Sequence, residues 1–285
     1  SRKTRGPACR PRVFQRPRPE EDQAIFRQGT GILMQHHRYL FVGGLHRSGT
    51  SLLTRLVAAH DAVATISDAP VPENEGCYLQ GAIPHTAQHG RPMHFATDPR
   101  QHLTEGHPLD RLETRLRLEH DWNPWFDGDR PWRVEKSPVN LTRTRLYQQL
   151  FPLSQFVLII RHPEAVAAAV AKWVDGPAHQ LIDHWLDAHS QMQQDLSHLH
   201  AAMVIRYEDL VASPAAVVNS VHAFMALSPS RMDATVRDGN LDYGSAPQMT
   251  RSQAERAAAW GYGPGLEVRP VGPRLSHPLR SVRTA

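Results

Sequence analysis

The run Gly44-Leu45-His46-Arg47-Ser48-Gly49-Thr50-Ser51 has the residue types and spacing that hold an anion. It reads G-x-x-x-x-G-T-S, where a nucleotide-triphosphate loop reads G-x-x-x-x-G-K-[ST], so the lysine of that pattern is missing. Backbone N–H groups of such a loop, with the positive end of the helix that follows, bind an anion without it. A basic side chain still stands inside the loop, as Arg47. Two more cations follow: Lys136 in Arg133-Val134-Glu135-Lys136-Ser137-Pro138, and Arg161 directly after the apolar run Phe156-Val157-Leu158-Ile159-Ile160. In a magnesium-dependent kinase or ATPase a buried strand commonly delivers an aspartate to the metal. Here the apolar run delivers an arginine, which suits a second anionic group. A cradle for a 5′-phosphoryl group plus an arginine for a distant phosphate describes a doubly phosphorylated adenosine ligand better than ATP.

The elements around these residues alternate. Tyr39 to Val42 reads as a strand before the Gly-rich turn, and Ser51 to Val57 as a helix after it. A second unit places a strand at Trp132 to Val134, a helix at Asn140 to Leu150, a buried strand at Phe156 to Ile160 and a helix at Glu164 to Trp173. An amphipathic helix from Ala178 to Leu199 carries Leu181, Trp185, Met192, Leu196 and Leu199 on one stripe, which reads as core, and Met203 to Ile205 forms another strand. This βαβ rhythm predicts an α/β fold with a central parallel sheet flanked by helices. Residues 67 to 110 and 228 to 264 lack clear periodicity, and α/β folds commonly keep specificity in such loops, so the acceptor pocket is expected there.

Composition sets outer limits. With 40% hydrophobic and 21% charged residues in 285, the chain is of globular type, and 23 prolines with 18 glycines add loops. No apolar stretch approaches the roughly 18 residues of a membrane span, and no apolar signal-peptide core stands near the start. Cys9 and Cys77 are too few for a disulfide framework or a thiolate metal site, so a reducing, cytoplasmic location is expected. Only three of the 32 basic residues are lysines (Lys3, Lys136 and Lys172), which makes the lysine inside a motif notable. The net charge of +4 carries no nucleic-acid reading. Residues 1–30, rich in Arg and Pro, read as a disordered basic arm; residues 31–264 form the expected folded domain, and 265–285 read as a second Pro/Arg-rich tail.

Taken together, FVGGLHRSGTSLL, RVEKSPVN, FVLIIRHPEAVAAAVAKW and RYEDLVASP resemble the sulfotransferases that use 3′-phosphoadenosine-5′-phosphosulfate (PAPS), in particular the branch with tyrosylprotein sulfotransferases and many bacterial enzymes. The four motifs stand in the family order across residues 41 to 214. The resemblance implies a single P-loop-NTPase-like domain, PAPS as sulfonate donor and a hydroxyl-bearing acceptor: a small molecule, a glycan or a tyrosine. It implies that Arg47, Ser48, Gly49, Thr50 and Ser51 form the 5′-phosphosulfate loop, with Arg47 also catalytic. Lys136 then stabilises the transferring group, Arg161 takes the 3′-phosphate and Tyr207 lies near the nucleotide. The family places a serine eight residues after that arginine, where this chain has Ala169. One expected hydrogen bond is thereby lost, with Ser137, Lys172 or a backbone donor as replacements, or weaker donor binding as the result.

For the catalytic base, the resemblance points to a glutamate in the loop Val71-Pro72-Glu73-Asn74-Glu75-Gly76. Glu75 is favoured because it precedes Gly76 on a tight turn, Glu73 is second, and His46, His60 and His85 are alternatives. No metal is expected, because arginine and lysine supply the positive charge. Trp122, Trp125, Phe126 and Trp132 are a candidate aromatic wall for the acceptor, with loop packing as the other reading. Two other functions stay open at the level of residues: a P-loop kinase or NTPase, which would need an acidic metal ligand after a buried strand, and a noncatalytic nucleotide-binding relic.

Overall fold

The computed structural model describes residues 37–84, 94–232, 235–244 and 246–283. Its strands are β1 (Arg38–Gly43), β2 (Val63–Thr65), β3 (Trp132–Lys136), β4 (Gln155–Ile160), β5 (Ala202–Arg206), β6 (Tyr262–Gly263), β7 (Glu267–Val268) and β8 (Arg274–Ser276). Six of them form one sheet in the order β2-β3-β1-β4-β5-β8, and β6 with β7 makes a small ribbon. β1 to β5 run parallel, and β8 adds antiparallel to β5. The helices are α1 (Thr50–Val57), α2 (Leu112–Trp122), α3 (Thr144–Leu150), α4 (Pro163–Val170), α5 (Ala178–Leu196), α6 (Tyr207–Ala212), α7 (Pro214–Phe224), α8 (Arg251–Ala257) and α9 (Arg280–Arg283). Among the described residues no helix is long and apolar enough to cross a membrane.

The strands at the centre are buried on both faces, which is why they read as apolar runs rather than as alternation. Successive side chains still divide between the two sides. Leu40, Val42, Val157 and Ile159 pack with Leu53 and Val57 of α1 and with Val218 and Val221 of α7. Tyr39, Phe41 and Phe156 turn the other way, onto Trp122, Tyr147 and Phe151. Leu158 and Ile160 meet Val166 of α4 and Ile182 and Trp185 of α5. Each of these fully buried large side chains is worth about 1.5–3 kcal/mol, so β1 and β4, whose carboxyl ends carry the Gly-rich loop and Arg161, are the best anchored part of the sheet.

The α/β architecture agrees with the expectation, and the differences have local causes. The helix expected over residues 140–150 is interrupted: Pro138–Thr142 forms a 3-10 turn, Arg143 leaves helical geometry, and α3 starts at Thr144. The gap is filled by Leu103, whose N–H donates to the Thr142 carbonyl while its own carbonyl accepts from Leu146 N–H. The segment expected as a C-terminal tail from residue 265 instead supplies β7, β8 and α9. β8 is three residues long and bracketed by Pro273 and Pro278, so its periodicity is too short to register, although Leu275 pairs with Met203 in β5. The expected arm, residues 1–30, lies outside the described residues.

Candidate active site

Four of the sequence motifs end on one edge. The loop follows β1, Lys136 closes β3, Arg161 follows β4 and Tyr207 follows β5, all at the carboxyl ends of adjacent parallel strands. β1 lies between β3 and β4 in that order, at the place where successive connections turn to opposite sides, where α/β sheets open a crevice for ligands.

The loop is shaped by close approach. A Cβ on Gly44 would stand 2.4 Å from the Ile159 carbonyl oxygen, and one on Gly49, with φ +100°, would stand 2.8 Å from the Tyr207 ring. Gly49 caps α1 with no side chain across the helix end, so the first amides of α1 face outward with the positive end of the helix dipole. Ser48 is fully buried, and its hydroxyl has no hydrogen-bond partner among the described residues. Arg47 adopts φ +67°, its carbonyl accepts from Arg161 Nη1 at 3.0 Å, and its guanidinium lies 5.4 Å from the exposed Trp173 ring.

On the β3 side the candidate base and cation meet. Lys136, 4% exposed, donates to the Glu73 carbonyl at 2.7 Å and to Glu75 Oε1 at 3.4 Å. Glu73 and Asn74 both hold φ +52°, a left-handed turn that costs roughly 1–2 kcal/mol per non-glycine residue. The turn aims the Glu73 carbonyl at the ammonium group. Glu75 is buried, and burial is the main reason its carboxyl is pushed up to about 7; Lys136 pulls it down, while Glu135 and Glu73 push it further up. Because the shorter Lys136 bond goes to a neutral carbonyl, Glu75 is only partly compensated. The Glu73 carboxylate is exposed and accepts from Ser51 Oγ at 3.1 Å.

Beneath this pair lies a tier with no sequence signal for chemistry. Glu135 is fully buried and accepts from Gly76 N–H at 3.0 Å, Ser137 Oγ at 2.5 Å and Asn140 Nδ2 at 2.6 Å. A Cβ on Gly76 would fall 2.6 Å from Glu135 Oε1, and Trp122 Nε1 donates to the Gly76 carbonyl. The Glu75–Gly76 turn is thus fastened to β3, and burial holds the Glu135 carboxyl above the usual range. The only sequence hint was the adjacency of Glu135 to Lys136.

On the opposite side Arg161, 5% exposed, donates through Nε to Asn240 Oδ1 at 2.7 Å. Its guanidinium lies 4.3 Å from the Tyr207 ring and 5.5 Å from the Tyr243 ring, and Nη2 has no partner among the described residues. Lys172 Nζ sits 5.4 Å from the same Tyr243 ring. Tyr207 does more than pack beside the sheet, because its hydroxyl accepts from Gly239 N–H at 2.8 Å.

Several sequence alternatives separate from the site. Ser137 is committed to Glu135 and to Cys77 N–H, so it is not free to replace a serine at Ala169. His60 lies beyond the far end of α1, accepts from Ala62 N–H and packs on His222. His46 remains near Lys136, but burial and that cation hold its imidazole down at about 4, far below a base poised for neutral pH. His85 lies outside the described residues. The proposed aromatic wall is packing: Trp122 is fully buried, Trp132 lies under the Arg38 guanidinium, and Trp125 and Phe126 pack against the aromatic core. Among the described residues no three His, Cys, Asp or Glu side chains cluster so as to hold a metal ion.

The chain belongs to the sulfotransferase family, whose model matches residues 40–230. No curated protein matches the sequence. Among solved structures, a sulfotransferase from Mycobacterium avium aligns over 87% of this chain and 83% of its own, at 12% identity and a TM-score of 0.54, a likeness of fold. A sulfotransferase from Mycobacterium tuberculosis H37Rv aligns over 83% of this chain and 81% of its own (17% identity, TM-score 0.49). The sulfotransferase domain of the curacin biosynthetic pathway aligns over 79% and 98% (16% identity, TM-score 0.48). Family membership makes the protein a transferase, with sulfonate transfer as the supported activity.

Proposed function

We propose that the protein transfers the sulfonate group of PAPS to a hydroxyl of its acceptor and releases adenosine 3′,5′-bisphosphate. The observation that carries the donor is the buried, unpartnered Nη2 of Arg161, a cation with donors to spare on the far side of the Gly-rich loop from Lys136. Buried donors without partners are uncommon and call for a ligand or water. The orphaned Ser48 hydroxyl fits the same ligand at its other end. The loop amides, Ser48, Thr50 and Ser51 would hold the 5′-phosphosulfate, Arg161 the 3′-phosphate and Tyr207 the nucleoside.

When bound, the donor supplies a sulfonate already carried on a phosphate leaving group. The transferred oxygens carry negative charge throughout, so the protein's work is positioning and electrostatic stabilisation. Arg47, Lys136 and the loop amides meet that charge. Glu75 takes the acceptor's hydroxyl proton; its carboxyl, poised at about 7, is matched to that task. The acceptor enters through a half-open cleft of about 600 Å³ between α1 and residues 65–74, with Lys136 and Glu73 in its wall. The cleft lies over β2 and β3, away from Arg161, so donor and acceptor approach the loop from opposite sides. Among the described residues its wall mixes hydroxyl and amide side chains such as Ser51, Thr54 and Asn74 with aliphatic ones such as Leu52, Ala59 and Ile66, and holds no aromatic ring. That lining suits a polar, hydroxylated acceptor better than a flat aryl one.

Calorimetric titration with adenosine 3′,5′-bisphosphate, 5′-AMP and ATP with magnesium tests the donor. The bisphosphate is expected to bind best without metal, and Arg161→Ala to weaken it by about 10- to 100-fold, the worth of a charge-assisted hydrogen bond, while 5′-AMP changes little. Preference for ATP with magnesium would return the protein to the kinase reading.

Lys172 is the replacement for the family serine. It is exposed, stands three residues past Ala169 and shares the Tyr243 ring with Arg161. Lys172→Ala is expected to weaken the bisphosphate by about fivefold, more at low salt than at high, as an exposed cation should. A salt-independent or absent effect would return the role to a backbone donor.

A further inference from the structure

We propose that Asn240, itself held by Glu208, is a positioning residue that orients Arg161 toward the 3′-phosphate without neutralising it; this rests on the PAPS reading above. Asn240 sits in the 3-10 turn Gly239–Tyr243, far in sequence from Arg161, and is nearly buried. Its Oδ1 accepts from Arg161 Nε at 2.7 Å and its Nδ2 donates to Glu208 Oε1 at 2.9 Å. The chemistry fixes this amide orientation, since a guanidinium only donates and an ionised carboxylate only accepts. A neutral bridge between the two needs both roles in one planar group, which an amide supplies.

Glu208 ties three segments together. Its Oε1 also accepts from His162 N–H at 2.9 Å, directly after Arg161, and its Oε2 accepts from Tyr262 OH at 2.9 Å. The Asn240 main chain is fixed in turn by Asp238, whose side chain accepts from its N–H at 2.8 Å. Among the described residues the two hydrogen-bond partners of the Arg161 guanidinium, an amide oxygen and the Arg47 carbonyl, are both neutral, and they occupy Nε and Nη1. A carboxylate in place of the amide would pair bidentately with the guanidinium and spend both its charge and its remaining donors. With Asn240 there, the negative charge of Glu208 stands one group back and Nη2 stays unspent. Gly239 keeps that side open, because a Cβ there would lie 3.3 Å from Nη2 and 3.0 Å from Tyr207 Oη.

The test is a double-mutant cycle on the full chain, read by calorimetry with adenosine 3′,5′-bisphosphate and with 5′-AMP, and by thermal melting without ligand. Asn240→Ala is expected to weaken the bisphosphate by about tenfold and 5′-AMP by less than about twofold, and to add less than about twofold on top of Arg161→Ala. Asn240→Asp, of the same size, is expected to weaken the bisphosphate at least as much. It also keeps the test available should the alanine variant fold poorly. Equal losses for both ligands, or a loss that adds in full to that of Arg161→Ala, would mean a merely structural role and overturn the proposal. If the parent chain prefers the bisphosphate and Arg161→Ala removes that preference while both Asn240 variants keep it, the positioning role alone falls. If the parent chain shows no such preference, the donor reading falls and this role with it.

Discussion

Lys136→Met is expected to lower kcat by about 10²- to 10³-fold with KM changed little, the usual size of the effect when one preorganised cation or donor at a developing charge is removed. Methionine nearly fills the lysine's volume, so the loss reads the charge rather than a cavity. Lys136 is 4% exposed and its ammonium is held between the Glu73 carbonyl and Glu75, which leaves it little freedom to be anywhere else when charge develops. The same substitution should move the pH profile. Lys136 is the largest influence pulling the Glu75 carboxyl down against burial, so without it the carboxyl rises above about 7 and the rising limb of kcat/KM shifts to higher pH. Lys136→Arg keeps the charge but not the compact ammonium geometry, and should recover only part of the rate. A kcat within about tenfold of the parent, or a limb that stays in place, would remove Lys136 from the reaction.

Much of this site is legible before folding because its parts sit at strand ends. A short apolar run followed by glycine or a cation announces both a parallel strand and what stands at its mouth, which is how the loop at 44–51, Lys136 and Arg161 are readable from sequence. The sequence preference for Glu75 over Glu73 rests on the following Gly76, and the structure gives that glycine a different reason. Gly76 is needed because the Glu135 carboxylate and the Trp122 indole leave no room for a Cβ, and not for a left-handed turn, which falls instead on Glu73 and Asn74. What stays hidden are the groups that act on the site through other side chains. Glu135 looks like a strand residue, Asn240 like any loop asparagine, and Glu208 like the first acid of a helix, a position where acids are common anyway. Their meaning depends on contacts spanning 59 and 32 residues, from Gly76 to Glu135 and from Glu208 to Asn240, which no local pattern encodes. The aromatic residues near 122–132 carry two readings in sequence, acceptor wall and loop packing, and burial decides for packing: Trp122 and Trp132 are buried, and Trp125 and Phe126 lie half-buried against the aromatic core.

Glu75→Gln should make the protein slower and more stable at once. As the general base, Glu75 contributes about 10²- to 10⁴-fold to the rate, and its removal should flatten the limb that the parent shows near pH 7 in kcat/KM. The position of that limb also separates the candidates, because a base at His46 would titrate near 4. Glu73→Gln should keep the limb but move it slightly to lower pH, because the neighbouring charge that pushes the Glu75 carboxyl up is gone. The stability change has the opposite sign for a definite reason. The Glu75 carboxyl stands at about 7 in the folded chain against an ordinary value of 4.5, so the folded state holds the proton more tightly. Its burial therefore costs nothing below about pH 4.5, costs progressively more as pH rises, and reaches its full size above about pH 7, on the order of a few kcal/mol. The glutamine variant escapes that cost, so its melting temperature should exceed the parent's at pH 8 and the difference should close as pH falls toward 4.5. A group placed for fold stability would show the reverse, with loss of stability on substitution and no pH-dependent rate. Glu75 is expected to carry the signature of a carboxylate kept in an unfavourable place because the reaction needs a proton acceptor there.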